Sequence, residues 1–471
     1  MGRYLEAAEQ ALGYVDSLRV DGARPADAVG EGMAARVKWR RSDDPDAPAD
    51  RSLYYGSSGI ALALLEHHAL TGSAGSLAHA VAAGQEILDW LARSGRLSVS
   101  PANGWPGYAF ALAELGATTG RQDFLAAAAG CLDRLHAQAT PLGAGIGWIE
   151  PMPFSDITGQ TGEREIFDQS VGAAGAGLGL LHAHRHGVHP DALGWARQVG
   201  DRLLEVAEPD PAGLRWKLMA DMPFPFTAPN FAHGGAGVAY FLAQLHADCG
   251  DERYLDAALA GARYVLSRGT VVGDDGLLVC HTEEARTPLF YLGACHGPAG
   301  TGRTLMLLSE LTGDRGWRTH AERMLRGLQA LGAPEARSKG LWNNHGQCCG
   351  DAGIGDFALL MWRKTGDAAH LELARRCADV LLAQGSHDGA HRCWRHAEHR
   401  DRPAFVQAQT GYMQGAAGIA SFLMHLHGCL DGHPVKIALP DWQFEAAVPR
   451  GAGAVTAAAG ASAQTSATGG A

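Results

Sequence analysis

The feature that most constrains this chain is a short signature, Gly-x-x-Gly running into an apolar segment, that returns seven times. The copies are Gly56-Ser-Ser-Gly59, Gly104-Trp-Pro-Gly107, Gly172-Ala-Ala-Gly175, Gly234-Gly-Ala-Gly237, Gly297-Pro-Ala-Gly300, Gly350-Asp-Ala-Gly353 and Gly415-Ala-Ala-Gly418, at intervals of 48 to 68 residues. One supersecondary unit recurring at such a period means a repeat architecture. It also accounts for the composition: 63 of 471 residues are glycine, about twice the usual share of roughly 7%.

Between the copies, helical spacing of apolar residues predicts amphipathic helices over 4–20, 76–95, 121–139, 190–208, 251–269, 314–332 and 367–385. The link into these helices repeats too, as in Thr71-Gly72-Ser73, Thr312-Gly313-Asp314 and Thr365-Gly366-Asp367. A glycine closes one helix, and a Ser or Asp caps the next. A helix that is apolar all round belongs inside and an amphipathic one outside. Seven units therefore predict an all-α fold, an α/α toroid of seven inner and seven outer helices, with every inner helix starting at the same end. This single domain is expected over 1–443. Residues 444–471, rich in Gly, Ala, Ser and Thr without periodicity, are expected to form a disordered tail. Long inserts at 151–166 and 386–410 are expected at the cavity rim.

A Gly-x-x-Gly helix start is a packing device, so chemistry has to come from what departs from the repeat. Just before the first glycine, successive units carry Tyr54-Tyr55, Ala102-Asn103, Asp168-Gln-Ser-Val171, Phe231-Ala-His233, Ala294-Cys295-His296, Cys348-Cys349 and Met413-Gln414. Thiols occur only in the adjacent fifth and sixth units. A catalytic zinc takes three protein ligands and keeps one position open. Cys295, Cys348 and Cys349, beside helix N-termini that favour thiolate, predict a Zn2+ site. Cys131, Cys249, Cys377 and Cys429, on or beside helical segments, read as ordinary small buried residues. His345, His391 and His396 read as solvated or rim residues.

These motifs resemble those of the lanthionine synthetase C family. The resemblance rests on the sevenfold signature, on Cys295-His-Gly-Pro-Ala-Gly300 and Cys348-Cys-Gly-Asp-Ala-Gly353, and on Phe231-Ala-His-Gly-Gly-Ala-Gly237 and Gly411-Tyr-Met-Gln-Gly-Ala-Ala-Gly-Ile419. It spans Tyr4 to about Ala438. It implies a zinc-dependent cyclase that adds peptide cysteine thiolates to dehydroalanine or dehydrobutyrine in a ribosomally made peptide, closing thioether rings. By position, Cys295 and Cys348 match the family's zinc cysteines. Cys349 stands where most members have histidine, as in a three-cysteine minority. His233 matches the family's acid/base histidine beside the zinc and Asp168 its acidic residue. The plain alternatives are a hydrogen-bonded core histidine and a helix-cap carboxylate. The family's usual arginine and tryptophan are replaced by Tyr291 and Ala294, and Arg286 is a nearby candidate to stand in for the arginine.

The implied partners are a dehydrated precursor peptide and a separate dehydratase, since the repeat fills the chain. Other readings are addition of glutathione or another thiol to dehydroamino acids, a non-catalytic peptide-binding toroid, and an α/α-barrel glycosidase. The last needs two opposed carboxylates, and the turns offer only Asp168 and Asp351. A net charge of −11 argues against nucleic-acid binding. No apolar run approaches a membrane span, and Met1-Gly-Arg-Tyr-Leu-Glu starts no signal peptide. The expected location is therefore cytoplasmic, where nine cysteines point to metal or catalysis rather than a disulfide framework.

Overall fold

The computed structural model describes residues 2–21, 35–153, 155, 159–223, 226–284, 289–336, 341–398, 400 and 402–444. Of the expected tail 444–471 only Phe444 is described, and it is buried in the core instead of disordered; the rest of the tail and the candidate Arg286 lie outside these residues.

Among the described residues, fourteen helices form two concentric rings. The inner helices are Ser57–Thr71, Trp105–Thr119, Ala173–Arg185, Gly235–Cys249, Pro298–Thr312, Asp351–Thr365 and Ala416–Leu430. The outer ones are Arg3–Ser17, Ala74–Leu91, Gln122–Ala137, Ala192–Glu205, Glu252–Ser267, Arg315–Ala330 and Ala368–Gln384. Each of the first six inner helices packs on the outer helix that follows it, and the seventh packs on the N-terminal helix Arg3–Ser17. Every inner helix also touches the inner helix before and after it, the seventh touching the first. The toroid is closed.

The first glycine of each signature is the residue just before an inner helix, in extended conformation. Both glycines are required by close approach of the backbone six residues upstream. A Cβ on Gly104 would lie 1.9 Å from the Ser98 carbonyl oxygen, and one on Gly300 1.9 Å from that of Ala294. At the opposite end, Gly72, Gly120, Gly250, Gly313 and Gly366 close inner helices in the left-handed conformation, φ 72–74°, where glycine carries no Cβ penalty. Ser73, Asp251, Asp314 and Asp367 then cap the following outer helices, accepting backbone N–H bonds at 2.8 to 3.2 Å. The outer helices run two to five residues shorter than their periodicity predicts, because the terminal residues belong to caps and loops.

The loops that return the chain inward contain short β-ladders that the repeat does not reveal, including the hairpins Thr140–Leu142/Gly145–Gly147, Glu208–Asp210/Gly213–Arg215 and Ser386–Asp388/His391–Cys393. Just after each of these three, a buried indole N–H donates to a carbonyl in the last turn of the preceding outer helix. The pairs are Trp148–Leu135 at 2.9 Å, Trp216–Leu203 at 2.8 Å and Trp394–Leu381 at 2.8 Å. Each bond satisfies one helix-end carbonyl.

At the far end of the bore, residues 435–444 run across the inner helices. The Ile437 N–H donates to Glu66 at 2.6 Å, and Arg303 bonds the Asp441 carbonyl and carboxylate at 2.8 and 3.0 Å. The Arg303 guanidinium sits between the Phe231 and Trp442 rings, 4.2 and 4.0 Å from their centroids. These buried polar anchors make the segment a floor for the central cavity.

Candidate functional site

The seven turns are tied to one another by a ring of hydrogen bonds through the residue two before each first glycine. Tyr54 N–H donates to the Ala102 carbonyl, Met413 to Tyr54, Cys348 to Met413, Cys295 to Cys348, Ala232 to Cys295 and Ser170 to Ala232, at 2.7 to 3.1 Å. Between the second and third units, the Ser100 hydroxyl completes the circuit. It accepts from Ala102 N–H at 3.0 Å and donates to the Ser170 carbonyl at 2.8 Å. Cys295 and Cys348 are thus members of the annulus, and their sulfurs are positioned by main-chain register.

Cys295 and Cys349 are buried and Cys348 is half-buried; all three sulfurs lie within 4.8 Å of one another. Cys349 Sγ is 3.4 Å from Cys295 Sγ and 3.5 Å from Cys348 Sγ. A tetrahedral site with Zn–S bonds of about 2.3 Å spaces its sulfurs by about 3.8 Å, so this set fits the ion. Hydrogen bonds from Cys295 and then Cys349 hold the Cys348 thiol well below its usual range, with Tyr54 adding to them against the cost of burial. Bonding to Cys348 pushes Cys295 up.

On the adjoining turn, His233 Nδ1 lies 2.6 Å from Asp168 Oδ2. Asp168 is buried, and its other oxygen accepts the Val171 N–H at 2.8 Å. Asp168 thus both caps the loop and holds the His233 ring at Nδ1.

Thiols and His233 open on one cavity of about 490 Å³, reaching down to Leu439 and Trp442. Its wall includes residues given no role in advance. His296 is buried, with neither ring nitrogen hydrogen-bonded to a described residue. Burial, with His281 and His233 nearby, drives its pKa well below the ordinary histidine value. The His281, Tyr291 and His296 rings pack together, with centroids 4.4 to 5.1 Å apart. Burial pushes the Tyr291 phenol up to about 12, against a hydrogen bond from Arg400. Arg400 and Glu398 bring the 386–410 insert to the cavity as expected, whereas no described residue of 151–166 reaches it. Met152 and Ile166 instead pack with Leu218 and Met219 in a small separate apolar cluster.

One expectation fails here. His345 and His396 are buried and off the cavity lining, not solvated or at the rim; their ring centroids are 5.6 Å apart, and His345 faces Asp351 at 3.2 Å. Asp351, held there and by Asn343 at 2.9 Å, is fully buried off the cavity, so it supplies no second carboxylate for glycosidase chemistry. Cys131, Cys377 and Cys429 are core residues as expected, and Cys249 packs half-buried against the same core. No helix among the described residues is long and apolar enough to cross a membrane.

The family model for "Lanthionine synthetase C-like protein" matches residues 47–428. The chain belongs to this family. No curated protein sequence matches it. Among solved structures, nisin cyclase is similar with a TM-score of 0.57 at 14% identity, covering 80% of this chain and 89% of that one. Cellobiose 2-epimerase from Bacillus thermoamylovorans B4167 matches at a TM-score of 0.50 and 11% identity, covering 91% and 100%. At these identities the likeness is one of fold, and it agrees with the sevenfold toroid.

Proposed function

We propose that this protein is a zinc-dependent thioether cyclase acting on a dehydrated, ribosomally made peptide. The observation that carries the reading is the convergence of Cys295, Cys348 and Cys349 with the His233–Asp168 pair on one cavity. Bound by the three thiolates, a zinc ion would lower the pKa of an incoming peptide thiol and hold it as thiolate near neutral pH.

The cavity, lined by His296, Tyr291 and Ala294 beside the thiols, would bring the peptide's thiol and its dehydroalanine or dehydrobutyrine together. The sulfur–Cβ bond forms as the carbon–carbon π bond is displaced toward the carbonyl. His233 then delivers a proton to Cα from Nε2. Asp168 fixes the ring and stabilises its protonated form. No atom is lost overall: one thiol is consumed and one thioether formed. The peptide reaches this site already dehydrated, supplied by a separate dehydratase.

The test is incubation of the zinc-loaded protein with a dehydrated peptide carrying internal cysteines, counting alkylatable thiols by mass spectrometry. Loss of thiols at unchanged peptide mass is the expected result. A parallel arm with glutathione and a cysteine-free dehydroalanine peptide distinguishes general thiol addition, which appears as a mass gain. Zinc-loaded protein inactive in both arms would overturn the reading.

A further inference from the structure

A sulfur of the candidate zinc site meets a hydrogen-bond donor from a unit that contributes no thiol, and a phenol from another such unit is bonded to that donor. Gln414, from the seventh turn, places Nε2 at 3.5 Å from Cys349 Sγ and 2.8 Å from the Tyr54 phenol oxygen. Tyr54, from the first turn, lines the cavity together with Cys348 and Cys349.

The donors have a fixed direction. The Gly346 N–H donates to Asn344 Oδ1 at 2.9 Å, so the Asn344 amide can be oriented only one way. Asn344 Nδ2 then donates to Gln414 Oε1 at 2.9 Å, which turns Gln414 Nε2 toward Tyr54 and Cys349. The Tyr54 oxygen accepts from Gln414, which leaves its hydroxyl proton for another acceptor. Asn344, Gln414 and Cys349 are buried, so the chain of donors is shielded from water. The backbone supports the same geometry, since Met413 N–H donates to Tyr54 and Cys348 N–H to Met413.

A zinc held by three thiolates carries a net negative charge, and a fourth thiolate from the substrate adds another. Donors aimed at the sulfurs offset that charge, and the partners of ligating atoms tune both affinity and ligand donor strength.

We propose that Tyr54 and Gln414 are positioning residues that donate hydrogen bonds to Cys348 and Cys349, stabilising a three-thiolate metal site against its excess negative charge. This rests on the reading of the thiol cluster as a metal site. The sulfurs then spend part of their lone-pair density on N–H and O–H donors instead of on the metal.

The experiment compares wild type with Tyr54→Phe, which keeps the ring, and Gln414→Met, which keeps the side-chain length. Each protein is loaded with Co2+ for its thiolate-to-cobalt charge-transfer band and with Zn2+ for affinity by chelator competition. The expected result is a band shifted to lower energy in both variants and zinc affinity reduced about tenfold or more. Band energies and affinities equal to wild type in both variants would overturn the proposal. Wild-type protein that takes up neither metal would overturn the metal reading on which it rests.

Discussion

His425 offers a direct test of the buried polar network beneath the site. It lies on the seventh inner helix at 2% exposure, with Nδ1 3.0 Å from Asp356 and Nε2 3.2 Å from the Ile437 carbonyl. Burial by itself lowers its pKa, but Asp356 and, further away, Glu66 outweigh that and raise it to about 9. In the unfolded chain the same ring titrates near ~6.5. A displacement of about 2.5 units, at 1.36 kcal/mol per unit, corresponds to about 3 kcal/mol of folding stability. Because the folded value is the higher one, this contribution is fully present below pH ~6.5 and is lost as the pH rises through about 9. His425→Gln removes the titration while keeping a polar side chain. The assay is reversible urea unfolding of both proteins at intervals from about pH 6 to 10. The stability gap between wild type and variant should narrow by about 3 kcal/mol over that range. Two parallel profiles, with a constant gap, would refute the argument that Asp356 and Glu66 hold this ring charged.

Other outcomes are equally specific. Wild type should contain about one zinc per chain, as a single three-ligand site requires, and Cys348→Ala none, measured by elemental analysis after removal of loosely bound metal. Asp168→Asn should leave zinc content unchanged and lower the cyclisation rate by about 10²- to 10⁴-fold, the range of a general acid–base contribution. Cys349→His should slow ring closure at matched zinc occupancy, because a neutral ligand leaves the metal less electron-rich and the bound substrate thiolate a poorer nucleophile. An undiminished rate would remove that role for the third thiolate. Gly355→Ala places a Cβ 2.2 Å from the Phe422 ring, and the resulting overpacking should cost about 1–3 kcal/mol in urea denaturation.

The fold was legible because its rule is local. Each glycine pair announces a helix start through a backbone approach that allows no Cβ, and each apolar run announces an inner helix. The thiols and the Asp168–His233 pair were legible for a related reason. Their offsets from the nearest first glycine place them at the mouth once the units are superposed. Tyr54 and Gln414 stood in the same superposition, yet an aromatic and an amide at a turn carry no signature of what they donate to. The floor formed by residues 435–444 was hidden more deeply. Its sequence has no period, and its partners Glu66, Gln169, Gln244, Arg303 and His425 come from five different units. Arg400 was equally hidden, since its approach to Tyr291 spans more than a hundred residues of chain.

The annulus through Tyr54, Ala102, Ser170, Ala232, Cys295, Cys348 and Met413 has a consequence for how such a chain can change. An open solenoid can gain or lose a repeat at its end and merely grow longer or shorter. Here an added or deleted unit would alter the circumference itself, and with it the separation of Cys295, Cys348 and His233. Length variation must therefore be exported to where the annulus does not pass, between an outer helix and the next turn. That is where the spacing of the copies varies, from 48 to 68 residues, while the count stays at seven. New loops can reshape what the cavity admits without moving a sulfur.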